Sequence, residues 1–282
     1  MLRFTSASVR IANTQRAVDE CIEIAFGEKV PEDCGVIMVN AAIGHKLDKV
    51  AAAIKTHTDT KILATSCGGV VGREGAGEAL THLAVMGVCG PKQEHAAAAV
   101  DGVYATNAYE KGLELANALK EQSGKINIIY LICPGLDINC DLVLQAFDEV
   151  FGPDVLIFGG TSADNYKAVT TFQYLGETLT EHGAWAVGLA DETLCGAARA
   201  SHGFVAYGDP MVVDKAEGNR IDSMDGMNPL QAYTSRLSML PEDDPKVSFL
   251  AAGALAKELP PELAKEYRSP HILRGLSKGE QE

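Results

Sequence analysis

The sequence has no long apolar run, no secretion signal and few basic residues. None of its hydrophobic stretches approaches the roughly 20 residues that a membrane-spanning helix needs. Only 24 of the 282 residues are lysine or arginine, against 38 aspartate or glutamate, which gives a formal net charge of −14. Because such a chain repels phosphate backbones and anionic membranes, we expect neither nucleic acid nor a membrane as a partner. The sequence thus predicts a cytoplasmic protein.

Cysteine and histidine are too dispersed to predict a disulfide framework or a metal site. The seven cysteines are scattered without a Cys-x-x-Cys pair, as expected of reduced thiols. The seven histidines form neither an H-E-x-x-H helix nor a zinc-finger spacing. No metal and no cofactor is therefore assigned from these residue types.

What the sequence does contain is an internal repeat. Ala17 matches Ala108 and Gly44 matches Gly135, each at an offset of 91 residues. In both copies the glycine, Gly44 or Gly135, is followed by an amphipathic helix and an apolar strand. A further apolar strand ends each copy, at 82–90 and at 183–190. Helical segments that alternate with short Val/Ile/Leu strands are typical of mixed α/β sheets with helices packed on them. The sequence therefore predicts an α/β fold built from tandem duplicated units.

The repeat also predicts the domain organisation. The two units are expected at about 1–92 and 93–207, forming one duplicated α/β domain over 1–207. A boundary is expected near 207–210, at Tyr-Gly-Asp-Pro. Residues 208–282 are predicted to form a smaller, partial α+β module.

Both copies carry small and hydroxyl-bearing residues at the end of their central apolar strand. One copy reads Ala-Thr-Ser-Cys-Gly-Gly at 64–69, and the other reads Gly-Gly-Thr-Ser-Ala-Asp at 159–164. Ligands of α/β sheets bind beyond the carboxyl ends of strands, where backbone N–H groups and hydroxyls converge. The two turns are therefore predicted to face a common cleft for a small polar ligand. Tight packing between the repeats is the alternative.

The predicted ligand-binding residues come from these turns. They are Thr65, Ser66, Cys67, Gly68, Gly159, Gly160, Thr161, Ser162 and Asp164. Asp164 either contacts a ligand ammonium group or caps the following turn. Cys67 is either a buried small hydrophobe or, in the less favoured alternative of an enzyme, a thiolate nucleophile. Trp185 is expected to line the cleft or to belong to the core.

Four stretches of the chain together resemble the FIST family of bacterial and archaeal sensory domains. They are KILATSCGGVVG at 61–72, LIFGGTSADN at 156–165, SHGF at 201–204 and KAEGNRIDSMDGMNPLQAY at 215–233. The N-terminal FIST part corresponds roughly to 30–205, and 208–240 resemble the start of the C-terminal part. The family's Gly-Gly-Ser-Ala-Gly-Asp motif corresponds to 159–164. A second motif is matched loosely at 64–69, where Val70 replaces an expected acid.

The resemblance implies a sensory role rather than a reaction. The implied ligand is a small molecule such as an amino acid, and the implied partner is a signalling protein such as a kinase or a cyclase. A homo-oligomer is compatible with this role. A subset of the family senses nitric oxide through haem, so haem is the alternative cofactor. His202 would then be the axial ligand, with Cys133 as the second choice, and His202 joins the predicted ligand-binding residues.

Overall fold

The chain folds into two compact units, Met1–Ala198 and Arg199–Glu282, in a computed structural model. The structure describes residues 1–123, 125–165, 167, 169–197, 204–206, 208–218, 220–237 and 254–275. Helices and mixed sheets make this an α/β protein, which confirms the predicted fold class.

The first half of the larger unit begins with a strand and carries two helices. Its elements are β1 (Arg3–Arg10), α1 (Thr14–Phe26), β2 (Cys34–Ala42), α2 (Leu47–Ile54), β3 (Lys61–Cys67), β4 (Val70–Gly72), β5 (Gly75–Gly77) and β6 (His82–Cys89). Helix α1 begins after Asn13, whose side chain accepts a hydrogen bond from the Arg16 amide at 3.0 Å. It ends at Gly27, where φ is +78°. These are the residue types that favour the two ends of a helix.

The second half repeats this sequence of elements. They are β7 (His95–Val100), α3 (Ala108–Gln122), β8 (Ile128–Cys133), α4 (Cys140–Phe151), β9 (Leu156–Thr161), β10 (Gln173–Leu175), β11 (Leu179–Thr180) and β12 (Ala184–Leu189). A short 3₁₀ turn at Lys92–Glu94 connects the halves.

The two halves have the same strand order. The first reads β1-β6-β2-β3 and the second reads β7-β12-β8-β9. In both, the first two pairings are antiparallel and the last is parallel. The same order with the same strand directions is the expected outcome of a tandem duplication.

The halves differ in the position of the short hairpin that follows their parallel strand pair, which is β4–β5 in the first half and β10–β11 in the second. Strand β10 of the second half pairs antiparallel with β3, and β10 and β11 together extend the first sheet to six strands. The corresponding hairpin of the first half, β4–β5, forms a separate two-stranded sheet. Among the described residues, no strand pairs with the outer edge of β9. Within the described residues, the edge at β3 is therefore covered and the edge at β9 is open.

The larger unit has three cores. One lies between the first sheet and helices α1 and α2, and a second lies between the second sheet and helices α3 and α4. The third, between the two sheets, contains Val36 and Met38 of β2 together with Trp185 of β12. Ile37 and Val39 point to the helices instead, as the two-residue period of a strand requires. Trp185 is fully buried, so it belongs to the core.

The smaller unit contains two strand pairs and two helices among its described residues. They are β13 (Val213–Glu217), β14 (Arg220–Met224), α5 (Pro229–Leu237), β15 (Ala254–Glu258), α6 (Pro261–Tyr267) and β16 (His271–Gly275). Both pairs are antiparallel. Within the described ranges, no helix of either unit is long and apolar enough to cross a bilayer. The assignment of 208–282 to a separate module stays a prediction.

Candidate functional site

The two hydroxyl-bearing turns lie against each other. The hydroxyl of Thr65, near the end of β3, shares a hydrogen bond of 2.7 Å with that of Ser162, just after β9. The Ala163 amide donates to the Ser66 carbonyl at 2.9 Å, and the Phe172 amide donates to the Ser66 hydroxyl at 2.9 Å. These contacts join residues of the first repeat to residues of the second.

A buried glutamine completes this contact. Gln173 is fully buried, and its amide nitrogen donates to the Ser162 hydroxyl at 2.7 Å. Its amide oxygen accepts from the Gly183 N–H at 2.9 Å. We call Thr65, Ser162 and Gln173 the junction cluster. Because the two hydroxyls are buried and mutually bonded, their contacts fit the packing alternative rather than an open cleft.

The Asp164 carboxylate is also engaged with the chain itself. Asp164 is 7% exposed and accepts from the backbone amides of Lys167 at 3.0 Å, Val169 at 2.7 Å and Thr170 at 3.2 Å. This is the capping role that Asp commonly has in loops. Its contact with a ligand ammonium group stays a prediction.

The adjacent glycines of the second turn have different surroundings. Gly159 has φ of +149°, and a Cβ atom there would overlap the backbone carbonyl of Leu131. Gly160 is exposed, and a Cβ atom there would have no neighbour within 4 Å in the described part of the chain. Thr161 is exposed as well. Gly159 therefore permits close strand packing, whereas Gly160 leaves open space where a side chain would lie, among the described residues.

The face between the two sheets carries half-buried polar residues that sequence reasoning missed. The alternation of β2 places Asn40 on the face of Val36 and Met38, which lies between the sheets. Tyr130 of β8 packs against the same core. Asn40 could have been noticed as a polar residue in an otherwise apolar strand. That its side chain faces Tyr130 of the other sheet depends on how the two sheets pack.

Tyr130 connects the members of this group. Burial raises the pKa of Tyr130, while the Asn40 side chain lowers it and Cys67 raises it, so both side chains act on the Tyr130 hydroxyl. The ring stacks on Phe158 at 5.0 Å between ring centroids and meets Trp185 edge-on at 5.5 Å. We call Asn40, Cys67, Tyr130, Phe158 and Gly160 the inter-sheet rim. Cys67 is adjoined by the half-buried Gly68.

The Cys67 thiol is not activated in this environment. Burial raises its pKa to about 11, although a hydrogen bond from the Gly69 backbone acts in the opposite direction. At neutral pH the residue is therefore a thiol, and the thiolate is the form that acts as a nucleophile. These surroundings do not favour the enzyme alternative.

We expect iodoacetamide to label the exposed Cys195 well before Cys67 at pH 7. Because the thiolate fraction rises tenfold per pH unit below the pKa, the alkylation rate of Cys67 should rise about tenfold per unit towards pH 11. Peptide mapping by mass spectrometry at several pH values measures both sites in one sample. Equal rates for Cys67 and Cys195 at pH 7 would restore the nucleophile hypothesis.

The haem alternative depends on two residues. Cys133 is buried, and a hydrogen bond with Cys140 together with burial raises the pKa of its thiol. These contacts do not favour Cys133 as an axial thiolate. His202 lies outside the described residues. Within the described part of the chain, no group of three His, Cys, Asp or Glu residues has the arrangement of a metal site.

Comparison with known proteins identifies the family. Two similar solved structures are a cyanuric acid hydrolase from A. caulinodans (11% identity, TM-score 0.40, 70% of this chain and 69% of that chain) and a further cyanuric acid hydrolase structure (11% identity, TM-score 0.34, 67% and 68%). None of the curated proteins matches the sequence. The model of the FIST N domain, a sensory and signal-transduction domain, matches residues 35–227, which is more than half of the chain. The protein therefore belongs to the FIST family.

Proposed function

We propose that this protein senses a small polar metabolite at the inter-sheet rim and transmits its binding to a signalling partner such as a kinase or a cyclase. An amino acid or another small carboxylate fits the chemistry of the rim. The space beside Gly160 leaves room for a ligand, Asn40 supplies an amide, and the Phe158 ring supplies an apolar surface that is 41% exposed. Binding sites of small ligands commonly combine an apolar lining with a few polar groups.

The observation that carries this proposal is that both repeats contribute to one rim. Asn40 and Cys67 belong to the first repeat, whereas Tyr130, Phe158 and Gly160 belong to the second. The equivalent edge of the first sheet is covered by β10, while the β9 edge is open among the described residues. The rim thus combines open space at Gly160 with side chains of both sheets.

A ligand at such a position can act as a signal because it would touch both sheets. Binding energy shifts an equilibrium only when the ligand has different affinities for two conformations, and typical coupling free energies are about 1–3 kcal/mol. The contact of Tyr130 with Phe158 on one side and with Trp185 on the other connects the rim to the core between the sheets. A shift of the sheets would therefore change the surroundings of Trp185.

The test is a thermal-shift screen of amino acids and other small acids, followed by titration of the best compound. A ligand at 100 times its dissociation constant stabilises the native state by about 2.7 kcal/mol. We expect the same compound to change the fluorescence of Trp185, the single tryptophan. In Gly160→Val both responses should be lost, since the valine side chain would project into the open space at β9.

Gly275→Val is the matched control. Gly275 also lies in an exposed strand position with no neighbour within 4 Å of a Cβ atom, but it belongs to the smaller unit. This variant should keep the full response. A ligand that stabilises Gly160→Val as strongly as the unaltered protein would place its binding site elsewhere and contradict the proposal.

A further inference from the structure

A cavity lies at the amino end of β3, away from the inter-sheet rim. Its volume is about 870 Å³, and its lining includes Arg3, Gly35, Lys61, Lys92 and His95. Lys61 is the first residue of β3 and Cys67 of the rim is the last, so the two places are ~20 Å apart along this strand. We call this space the amino-end cavity. Its volume is that of sites that hold small organic ligands.

His95 is a buried lining residue with an unused ring nitrogen. It is 9% exposed, and its Nε2 atom has no hydrogen-bond partner among the described residues. His45 is comparably buried at 3%, but its ring nitrogens contact the Thr14 hydroxyl at 3.0 Å and the Thr81 carbonyl at 3.1 Å. A buried nitrogen without a partner is costly. The contrast indicates that the partner of His95 is not part of the chain described here.

The neighbouring backbone makes room for this ring. A Cβ atom at position 35 would overlap the His95 imidazole, so the glycine in β2 is required by the position of the histidine. The ring therefore lies where a close approach of β2 and β7 has been accommodated, rather than on a free surface. Gly35 and His95 both belong to the lining of the cavity.

The unbalanced charges of the lining are positive. The two acidic lining residues are paired, Asp33 with Arg3 at 2.7 Å and Glu32 with Lys29 at 3.3 Å. Neither Lys61 nor Lys92 has a carboxylate partner among the described residues. The Lys61 ammonium donates to the Ala97 carbonyl at 2.8 Å, and burial lowers its pKa. Although its ammonium group is partly covered, Lys61 as a residue is exposed, as is usual for lysine. It provides two further N–H donors for a ligand.

We propose that the amino-end cavity binds a small organic anion, carried by a carboxylate or a phosphate group, with Lys61 and His95 as its contacts. Lys61 supplies the charge and His95 supplies a ring nitrogen of fixed position. An anion there would give Lys61 a counter-ion and His95 Nε2 a hydrogen-bond partner, neither of which the described residues supply. This site is distinct from the inter-sheet rim and does not depend on the function proposed for it.

The experiment is a titration of the full chain with inorganic phosphate and with succinate, at constant ionic strength, followed by NMR of the histidine rings. The variant His95→Gln identifies the His95 signals. We expect saturable shifts of the His95 signals with at least one of the two anions, while the His45 signals stay unchanged. In Lys61→Met the apparent dissociation constant should increase about tenfold or more, because the charge contact is lost.

Lys49→Met is the matched control, since Lys49 is an exposed residue of α2 away from the lining, and it should keep the affinity. Three results would overturn the proposal: no response of His95 to either anion, equal shifts of all the histidines, or unchanged affinity in Lys61→Met. Gly160→Val should retain the anion response, so failure at one site can be told apart from failure at the other. The difference between phosphate and succinate identifies the preferred anionic group.

Discussion

Replacement of Gly159 by alanine is expected to lower the free energy of unfolding by about 3 kcal/mol. The new Cβ atom would overlap the backbone carbonyl of Leu131 in the paired strand, which cannot rotate away as a side chain can. The φ angle of +149° adds strain for any residue with a side chain. Overpacking and backbone strain each cost about 1–3 kcal/mol. Urea unfolding followed by Trp185 fluorescence measures the effect, because this residue lies in the core of the larger unit.

The adjacent glycine provides the control. Gly160→Ala adds the same methyl group to the same strand, at a position with open space and without a positive φ angle. The free energy of unfolding should therefore change by no more than about 0.5 kcal/mol. Equal losses in both variants would show that the Gly-Gly pair serves packing alone, and would remove the reason for placing a ligand at Gly160.

Gln173→Ala is expected to lower the free energy of unfolding of the larger unit by about 3 kcal/mol. The substitution removes the acceptor of the Gly183 N–H and a donor to the Ser162 hydroxyl, both in fully or nearly fully buried positions. Each buried polar group left without a partner costs about 1–3 kcal/mol. The truncated side chain would also leave a cavity between the repeats.

Two measurements test this expectation. Gln15→Ala removes a glutamine that is exposed on α1 and bonded to Asp19, and should change stability by less than about 0.5 kcal/mol. A double-mutant cycle of Thr65→Val with Ser162→Ala measures the coupling across the repeats, for which about 1 kcal/mol is expected. Additive effects in this cycle, or a small loss in Gln173→Ala, would mean that the junction cluster does not hold the two repeats together.

The junction cluster holds one side of the proposed ligand site in place. It ties the end of β3 to the turn after β9, directly beside the rim residues Cys67 and Gly160. The buried hydroxyls would thus fix the position of one side of the rim, while the open β9 edge provides the side that a ligand reaches. A ligand site beside a rigid cluster loses less free energy on ordering than a site on a free loop.

Local patterns in the sequence were sufficient to predict the elements of the duplication. The apolar runs at 82–90 and 183–190 form β6 and β12, and the amphipathic segments after the repeat glycines form α2 and α4. These predictions succeeded because helix and strand periodicities are carried by residues close in the chain. The small-residue strand ends were visible for the same reason.

Only the tertiary structure showed what these strand ends contact. Thr65 and Ser162 are 97 residues apart, and nothing in either turn specifies that β10 joins the sheet of the other repeat and brings Gln173 between them. Gly159 and Gly160 are the same residue type, yet a Cβ atom would meet a backbone carbonyl at the first and open space at the second. Asn40 and Tyr130 meet because two separate sheets stack. Such contacts depend on the order and packing of distant strands, which local periodicity does not encode.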